Sequence, residues 1–308
     1  MPGGRPVLLA LSLSSHDYIS HVFGPNSWEA WDELLRLDRQ LADLLATLDR
    51  LVGPLGYAVM LTGDHGSNPL PELTSTGQGA WCATRSKGAA KDPWGRPCDQ
   101  GRRLIPSEIA AILDTEARAI LDDQEQAQVG ADPTRAGLGV GSVGRTWVAG
   151  VAEPFVYLTA KGRTLPPAQR AALLGVAQTL LHDKYDVAQV VDVRSAPVSC
   201  PSETDESLPA LICRSTRRDQ PGDFYIVAKP GTFFDPDLAT GKGTSHGSPY
   251  LYDRTVPLLV RAPGRVPAGK IENGPVSYAA FARTAAALLR VPLPSSASQG
   301  PDLTSAPR

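Results

Sequence analysis

Between two short apolar runs, Val7–Leu11 and Tyr57–Leu61, lies a leucine-rich segment whose pattern only a helix accommodates. Across Ser27–Leu51, the residues Trp31, Leu34, Leu35, Leu37, Leu41, Leu44, Leu45 and Leu48 recur at helical spacing. Asn26 or Ser27 suits the start as a cap, and Gly53-Pro54 suits the stop. Strand, helix and strand in that order predict a βαβ unit, hence a parallel sheet joined by a right-handed crossover. Two further runs, Phe224–Ala228 and Val256–Val260, are nearly continuous in apolar residues, as in a sheet covered on both faces. A last helix is expected over Tyr278–Leu289. The fold class is therefore α/β, with a mostly parallel sheet sandwiched by helices.

Residues 67–221 interrupt this pattern. They open on a Gly/Ser/Thr-rich stretch, and then carry a predicted helix near 106–122, a strand at 153–159, a helix at 166–183 and a strand at 187–194. The expected organisation is a discontinuous core, residues 1–66 and 222–294, with 67–221 as an inserted α/β cap subdomain. Residues 295–308, rich in Ser, Pro and Ala, form an expected flexible tail.

With 42% hydrophobic residues among 308, a sizeable core is within reach. The 30 basic side chains are matched by 32 acidic ones, so no basic surplus speaks for a nucleic acid polymer as partner. The longest apolar runs are too short to cross a bilayer, and the first residues contain no apolar signal segment. Four cysteines fall into two local pairs, Cys82 with Cys98 and Cys200 with Cys213, without the C-x-x-C spacing of a zinc ribbon. Their polar, loop-like surroundings suit disulfides in an oxidising compartment, and four unpaired thiols are the alternative. The compartment stays open on these residues.

Three of the five histidines stand beside acids or glycines where strands would end: Asp17-Tyr18-Ile19-Ser20-His21, Gly63-Asp64-His65-Gly66 and Thr244-Ser245-His246-Gly247. That edge is where open α/β sheets bind ligands. Imidazole with carboxylate on short stiff turns is a donor set that Zn²⁺ and similar ions prefer. His16 is read as solvent-facing and His182 as a helix-end residue.

These segments carry a resemblance. Ser14–Ser27, reading SSHDYISHVFGPNS, with Leu35-Arg36-Leu37-Asp38 in the helix, Thr62–Gly66 and Gly243–Pro257, resembles the metal-binding part of the alkaline phosphatase superfamily. The nearest branch is the phosphodiesterase/nucleotide pyrophosphatase-like group with its phosphate-irrepressible alkaline phosphatases. The resemblance implies a hydrolase of small phosphate esters with two zinc ions per complete site. On that pattern Asp17, His21 and His246 hold one ion, while Asp64 and His65 supply part of the second. It further implies a periplasmic or secreted parent family. Ser20 departs from the family, where glycine usually precedes the histidine.

A charge comparison shows what these residues lack. Two Zn²⁺ bring four positive charges, whereas Asp17 and Asp64 bring two negative ones. The family draws a further Asp and a Thr or Ser nucleophile from a more N-terminal part, and only 16 residues precede Asp17. The expectation is therefore a C-terminal metal-binding part, from a truncated reading frame, a split gene or an excised domain, and an enzyme complete only if a partner chain supplies the nucleophile. The alternatives are a non-catalytic metal-binding remnant and a sulfatase or phosphomutase branch; Phe23-Gly24-Pro25-Asn26-Ser27 speaks against the latter. Thr62, Thr244 and Ser245 are weak substitutes for the nucleophile. Gly139–Gly144 matches G-x-G-x-x-G, but it follows no clear strand and opens no helix. The basic stretch Arg85, Lys87, Lys91, Arg96, Arg102, Arg103 reads as a solvated loop.

Overall fold

A computed structural model of the chain describes residues 6–70, 103–130, 147–195, 199–202, 205–216, 222–235, 243–272, 274, 276–293 and 303–304. It divides into two compact units. The first comprises Met1–Ile19, Ser27–Gly66 and Thr255–Arg308; the second comprises Ser20–Asn26 and Ser67–Arg254. Cys82 with Cys98, the Gly139–Gly144 stretch, the basic residues Arg85–Arg102 and most of the tail lie outside the described residues.

In the first unit the leucine-rich segment is helix α2, Trp28–Val52. (Helix α1, Ser14–Phe23, precedes it and runs across the unit boundary.) The α2 cap is Ser27, whose Oγ accepts the Ala30 N–H at 3.1 Å. Its stop is Gly53, at φ +79°, donating its N–H to the Asp49 carbonyl. Strand β1, Val59–Thr62, pairs antiparallel with β8, Leu258–Arg261, in the register Val59↔Arg261 to Thr62↔Leu258. A second helix of this unit, α8, spans Ala279–Leu289, and Arg265 donates to the last carbonyls, Ala287 at 2.7 Å and Leu288.

Two expectations fail here. Residues 6–13 form no strand, so the crossover between Val7–Leu11 and the next run is not built, and β1 takes an antiparallel neighbour instead. The turn expected after Leu11 is helix α1. An apolar run shows that a segment seeks cover; it does not say which strand will supply its hydrogen bonds.

The second unit carries a four-stranded antiparallel sheet in the order β3–β4–β6–β5: Val148–Ala152, Phe155–Leu158, Phe224–Ala228 and Val187–Asp192. Two short strands, β2 (Arg103–Leu104) and β7 (Phe233–Phe234), pair in parallel, the one parallel pairing among the described residues. Helices α3 (Pro106–Gly130) and α5 (Pro167–Lys184) cover one sheet face. Ile109, Leu113, Ala117 and Leu121 of α3 meet Leu173, Ala177 and Leu181 of α5 over Val156, Phe224 and Ile226. On the other face Tyr225 and Val227 pack with Val193 and with Ile212 of α6, Leu208–Ser215. Alternate residues of β6 thus enter two different cores, which is why Phe224–Ala228 reads as an unbroken apolar run.

The α/β character and the helices on both sheet faces agree with the sequence reading. The direction of the strands in this sheet does not, because two-sided burial produces the same apolar run in a parallel or an antiparallel neighbourhood. Cys200 and Cys213 form a disulfide. His182 lies exposed in the last turn of α5 beside Asp183. Among the described residues no helix is long and apolar enough to cross a membrane.

A buried charge cluster ties α5 to the sheet. Arg170 donates two bonds to the Asp192 carboxylate, at 2.6 and 2.8 Å, and one to the Asp223 carbonyl at 2.9 Å. Its guanidinium stacks 4.8 Å over Phe224. Burial alone would raise the Asp192 carboxyl, but the Arg170 bonds and the Arg194 N–H outweigh it and hold the group below the usual carboxylate range.

Candidate metal centre

Asp17 and His21 stand four residues apart on α1 and so share one helix face. Within the first unit, the chain leaving β1 turns through Gly63, where a Cβ would meet the Val256 side chain at 3.2 Å. That turn delivers Asp64 and His65. His65 Nδ1 lies 2.9 Å from the Gly66 carbonyl, and a carbonyl only accepts, so Nδ1 carries the proton. In the neutral ring this leaves the lone pair on Nε2, 3.6 Å from an Asp17 oxygen and 3.8 Å from an Asp64 oxygen. Those separations are too long for hydrogen bonds. They approach the edge of a tetrahedron with ligands at the Zn–N and Zn–O distances, roughly 3.3 Å. Imidazole next to carboxylate is a donor chemistry that divalent transition ions accept, and here one oxygen of each acid lies near the same ring nitrogen.

Within the second unit, His21 and His246 have ring centroids 5.3 Å apart and planes tilted by 55°. His21 Nδ1 sits 2.8 Å from the Thr244 carbonyl, which again places the proton on Nδ1. The Thr244 N–H in turn donates to the His21 carbonyl at 2.9 Å. The loop carrying His246 is bounded by Gly243 and Gly247, at φ +81° and +108°, values that L side chains rarely adopt. Ser248 N–H donates to Asp253 at 2.8 Å just beyond it.

The structure thus brings Asp17, Asp64 and His65 together in one unit and His21 with His246 in the other. The hydroxyls weighed as nucleophiles are occupied: Thr62 donates to Gly63, Thr244 to Asn68, and Ser245 to Glu153 at 3.5 Å. Sequence reasoning missed Asn68, Arg103 and Glu153 as neighbours of the His246 loop. Asn68 follows the Asp64-His65-Gly66 turn closely, but nothing in its type or spacing announces a partner at position 244.

Glu153, between β3 and β4, has its carboxyl pushed up to about 8 by surrounding protein and by the like charge of Asp253, against bonds from Ser245 and Phe234. The residue as a whole is exposed, so solvent moderates the effect on stability. For an acid raised in the folded state, the folded protein holds the proton longer. Stability is then full below the ordinary value of 4.5 and declines as pH rises towards about 8. Urea melts across that range should show this decline, and Glu153→Gln should flatten it. An unchanged slope in the variant would remove Glu153 as its cause.

The chain is thus an α/β protein presenting imidazoles and carboxylates from a helix and two turns, in one order along the sequence. The chain belongs to the type I phosphodiesterase / nucleotide pyrophosphatase family, whose model matches residues 1–248, within the alkaline phosphatase superfamily. It is 26% identical over 289 residues to alkaline phosphatase PafA of Elizabethkingia meningoseptica, covering 94% of this chain and 44% of that one. It is 28% identical over 252 residues to a protein named calcium-transporting ATPase of Myroides odoratus, covering 82% and 37%. The crystal structure of wild-type PafA superposes with a TM-score of 0.66 at 24% identity, over 95% of this chain and 46% of that one. This likeness supports the alkaline phosphatase-like α/β fold. The chain spans less than half the length of these relatives.

Proposed function

We propose that this chain carries the metal-ligating part of a phosphate-ester hydrolase. Asp17, His21 and His246 would hold one zinc ion, and Asp64 with His65 would hold part of a second. The observation that supports this reading is that candidate donors meet within each unit: His65 Nε2 lies 3.6 Å from an Asp17 oxygen and 3.8 Å from an Asp64 oxygen, and the His21 and His246 ring centroids are 5.3 Å apart. When bound, a zinc pair supplies charge stabilisation of the phosphoryl group and lowers the pKa of an attacking hydroxyl.

The side chains themselves have defined tasks. Asp17 and Asp64 offset part of the cationic charge. The Gly66 and Thr244 carbonyls hold the Nδ1 protons of His65 and His21, so that each ring presents Nε2 as the donor.

The nucleophile would come from a second polypeptide. Two observations support this reading: the hydroxyls of Thr62, Thr244 and Ser245 each point at a neighbouring acceptor, and large apolar side chains stand in the open. Val7, Leu8 and Leu9 are 84, 71 and 68% exposed, and on α2 Trp28 and Trp31 are 85 and 56% exposed. Each of these apolar side chains would gain from cover by a partner.

The test is zinc analysis of the purified chain, followed by assay on an aryl phosphate monoester and diester. The assay is run alone and after co-expression with the polypeptide encoded directly upstream. Zinc retained by the chain, with turnover appearing on co-expression, is the expected result. A wild-type chain that retains no zinc would overturn the metal assignment. Zinc without turnover in either preparation would identify a metal-binding remnant.

A further inference from the structure

We propose that Asn68 is a positioning residue that sets the tautomer and placement of His21 by anchoring Thr244 in the His246 loop. Asn68 is 1% exposed and Thr244 is 6% exposed, so their polar atoms depend on each other rather than on water.

Asn68 engages two segments at once. Its Nδ2 donates to the Gly231 carbonyl at 2.8 Å, and its backbone N–H points to the Ser245 carbonyl at 3.4 Å. An acceptor at Gly231 requires the amide nitrogen on that side, which orients the side chain. The Asn68 carbonyl accepts the Thr244 hydroxyl. Gly231 is itself held, its N–H donating to the Tyr252 hydroxyl at 3.0 Å. Arg103 secures the start of the loop, donating to the Gly243 carbonyl at 2.9 Å while paired with Asp235 at 2.7 Å.

The consequence reaches His21 through Thr244. That residue meets His21 twice, its N–H donating to the His21 carbonyl and its carbonyl accepting the His21 Nδ1–H. A free imidazole in water divides its proton between the two nitrogens. Here the Thr244 carbonyl decides, and its position depends on the Asn68 anchor. Aspartate at 68 would set a carboxylate against the Gly231 carbonyl, and alanine would release the Gly231 end of the anchor.

The inference rests on the metal reading for its functional meaning, but the tautomer is a property of the metal-free chain. The test is long-range ¹H–¹⁵N correlation on the full metal-free chain with ¹⁵N-histidine. It is run at alkaline pH, with the neutral ring verified from the ¹⁵N shifts themselves. His21→Ala assigns the signal. The wild type should show His21 with the proton on Nδ1, and Asn68→Ala and Thr244→Val should shift it towards a mixture of tautomers. Zinc affinity, measured by chelator competition, should fall about 10–100-fold in both variants, the range for loss of a partner behind a ligand. Where Asn68→Ala does not fold, Thr244→Val carries the measurement, since it keeps the chain's shape and the backbone carbonyl.

A His21 tautomer unchanged in the folded variants would overturn the proposal. A tautomer shift in a chain whose wild type binds no zinc would leave the anchor standing and remove the metal reading. Normal zinc affinity with an unshifted tautomer would do the opposite.

Discussion

Replacing Asp223 by alanine is expected to destabilise the chain by about 3–5 kcal/mol, the range for removing one partner of a buried ion pair. The residue is 5% exposed and joins three elements. Its Oδ2 accepts the Leu158 N–H at 2.8 Å and Arg163 Nε at 3.1 Å, while Oδ1 lies 3.4 Å from Arg170 Nη1. The alanine variant would orphan the Leu158 N–H inside the sheet and take one of two carboxylates from Arg170, which keeps Asp192 and the backbone carbonyl of residue 223. Asp223→Asn retains an acceptor for Leu158 and loses only the charge, so it should cost less than the alanine change. Urea denaturation of both variants decides the matter. A loss below about 1 kcal/mol for alanine would mean that the cluster does not carry its share of the packing of α5 against the sheet.

The second large effect concerns zinc. His21→Ala and His246→Ala should each weaken zinc binding by at least about 100-fold, since loss of a partner behind a ligand alone costs 10–100-fold. Thermal melts give an independent readout. An ion at about 100 times its Kd stabilises a fold by ~2.7 kcal/mol, so added zinc should raise the wild-type Tm and leave both variants nearly where they were. Parallel losses would indicate a common ion. Zinc binding that survives both changes would show that these imidazoles serve the loop rather than a metal.

The local patterns were readable because they are set by neighbours along the chain. The α2 stripe, its Ser27 cap and its Gly53 stop follow from 3.6-residue spacing and short-range hydrogen bonds, and the structure realises all three. Helices α3, α5 and α8 and strands β4 and β5 were likewise expected near where they lie. Strand partnership was less accessible. Val7–Leu11 has the composition of a strand yet pairs with no strand among the described residues, and β1 meets β8 rather than a parallel partner.

The candidate site divides in the same way. Asp17, His21, Asp64, His65 and His246 could be named from residue type, spacing and the motifs around them. Their protonation could not, because it depends on carbonyls that folding brings near, and for His21 the carbonyl comes from a residue 223 positions away.

Order and chemistry along the chain therefore determined helices α2, α3, α5 and α8, the candidate ligands and the family. Tertiary structure alone decided which strands pair, why β6 is apolar on both faces, and how Asn68 comes to brace Thr244. Backbone hydrogen bonds and buried polar contacts between distant residues are nearly indifferent to local sequence. They are chosen only when packing has selected the neighbours.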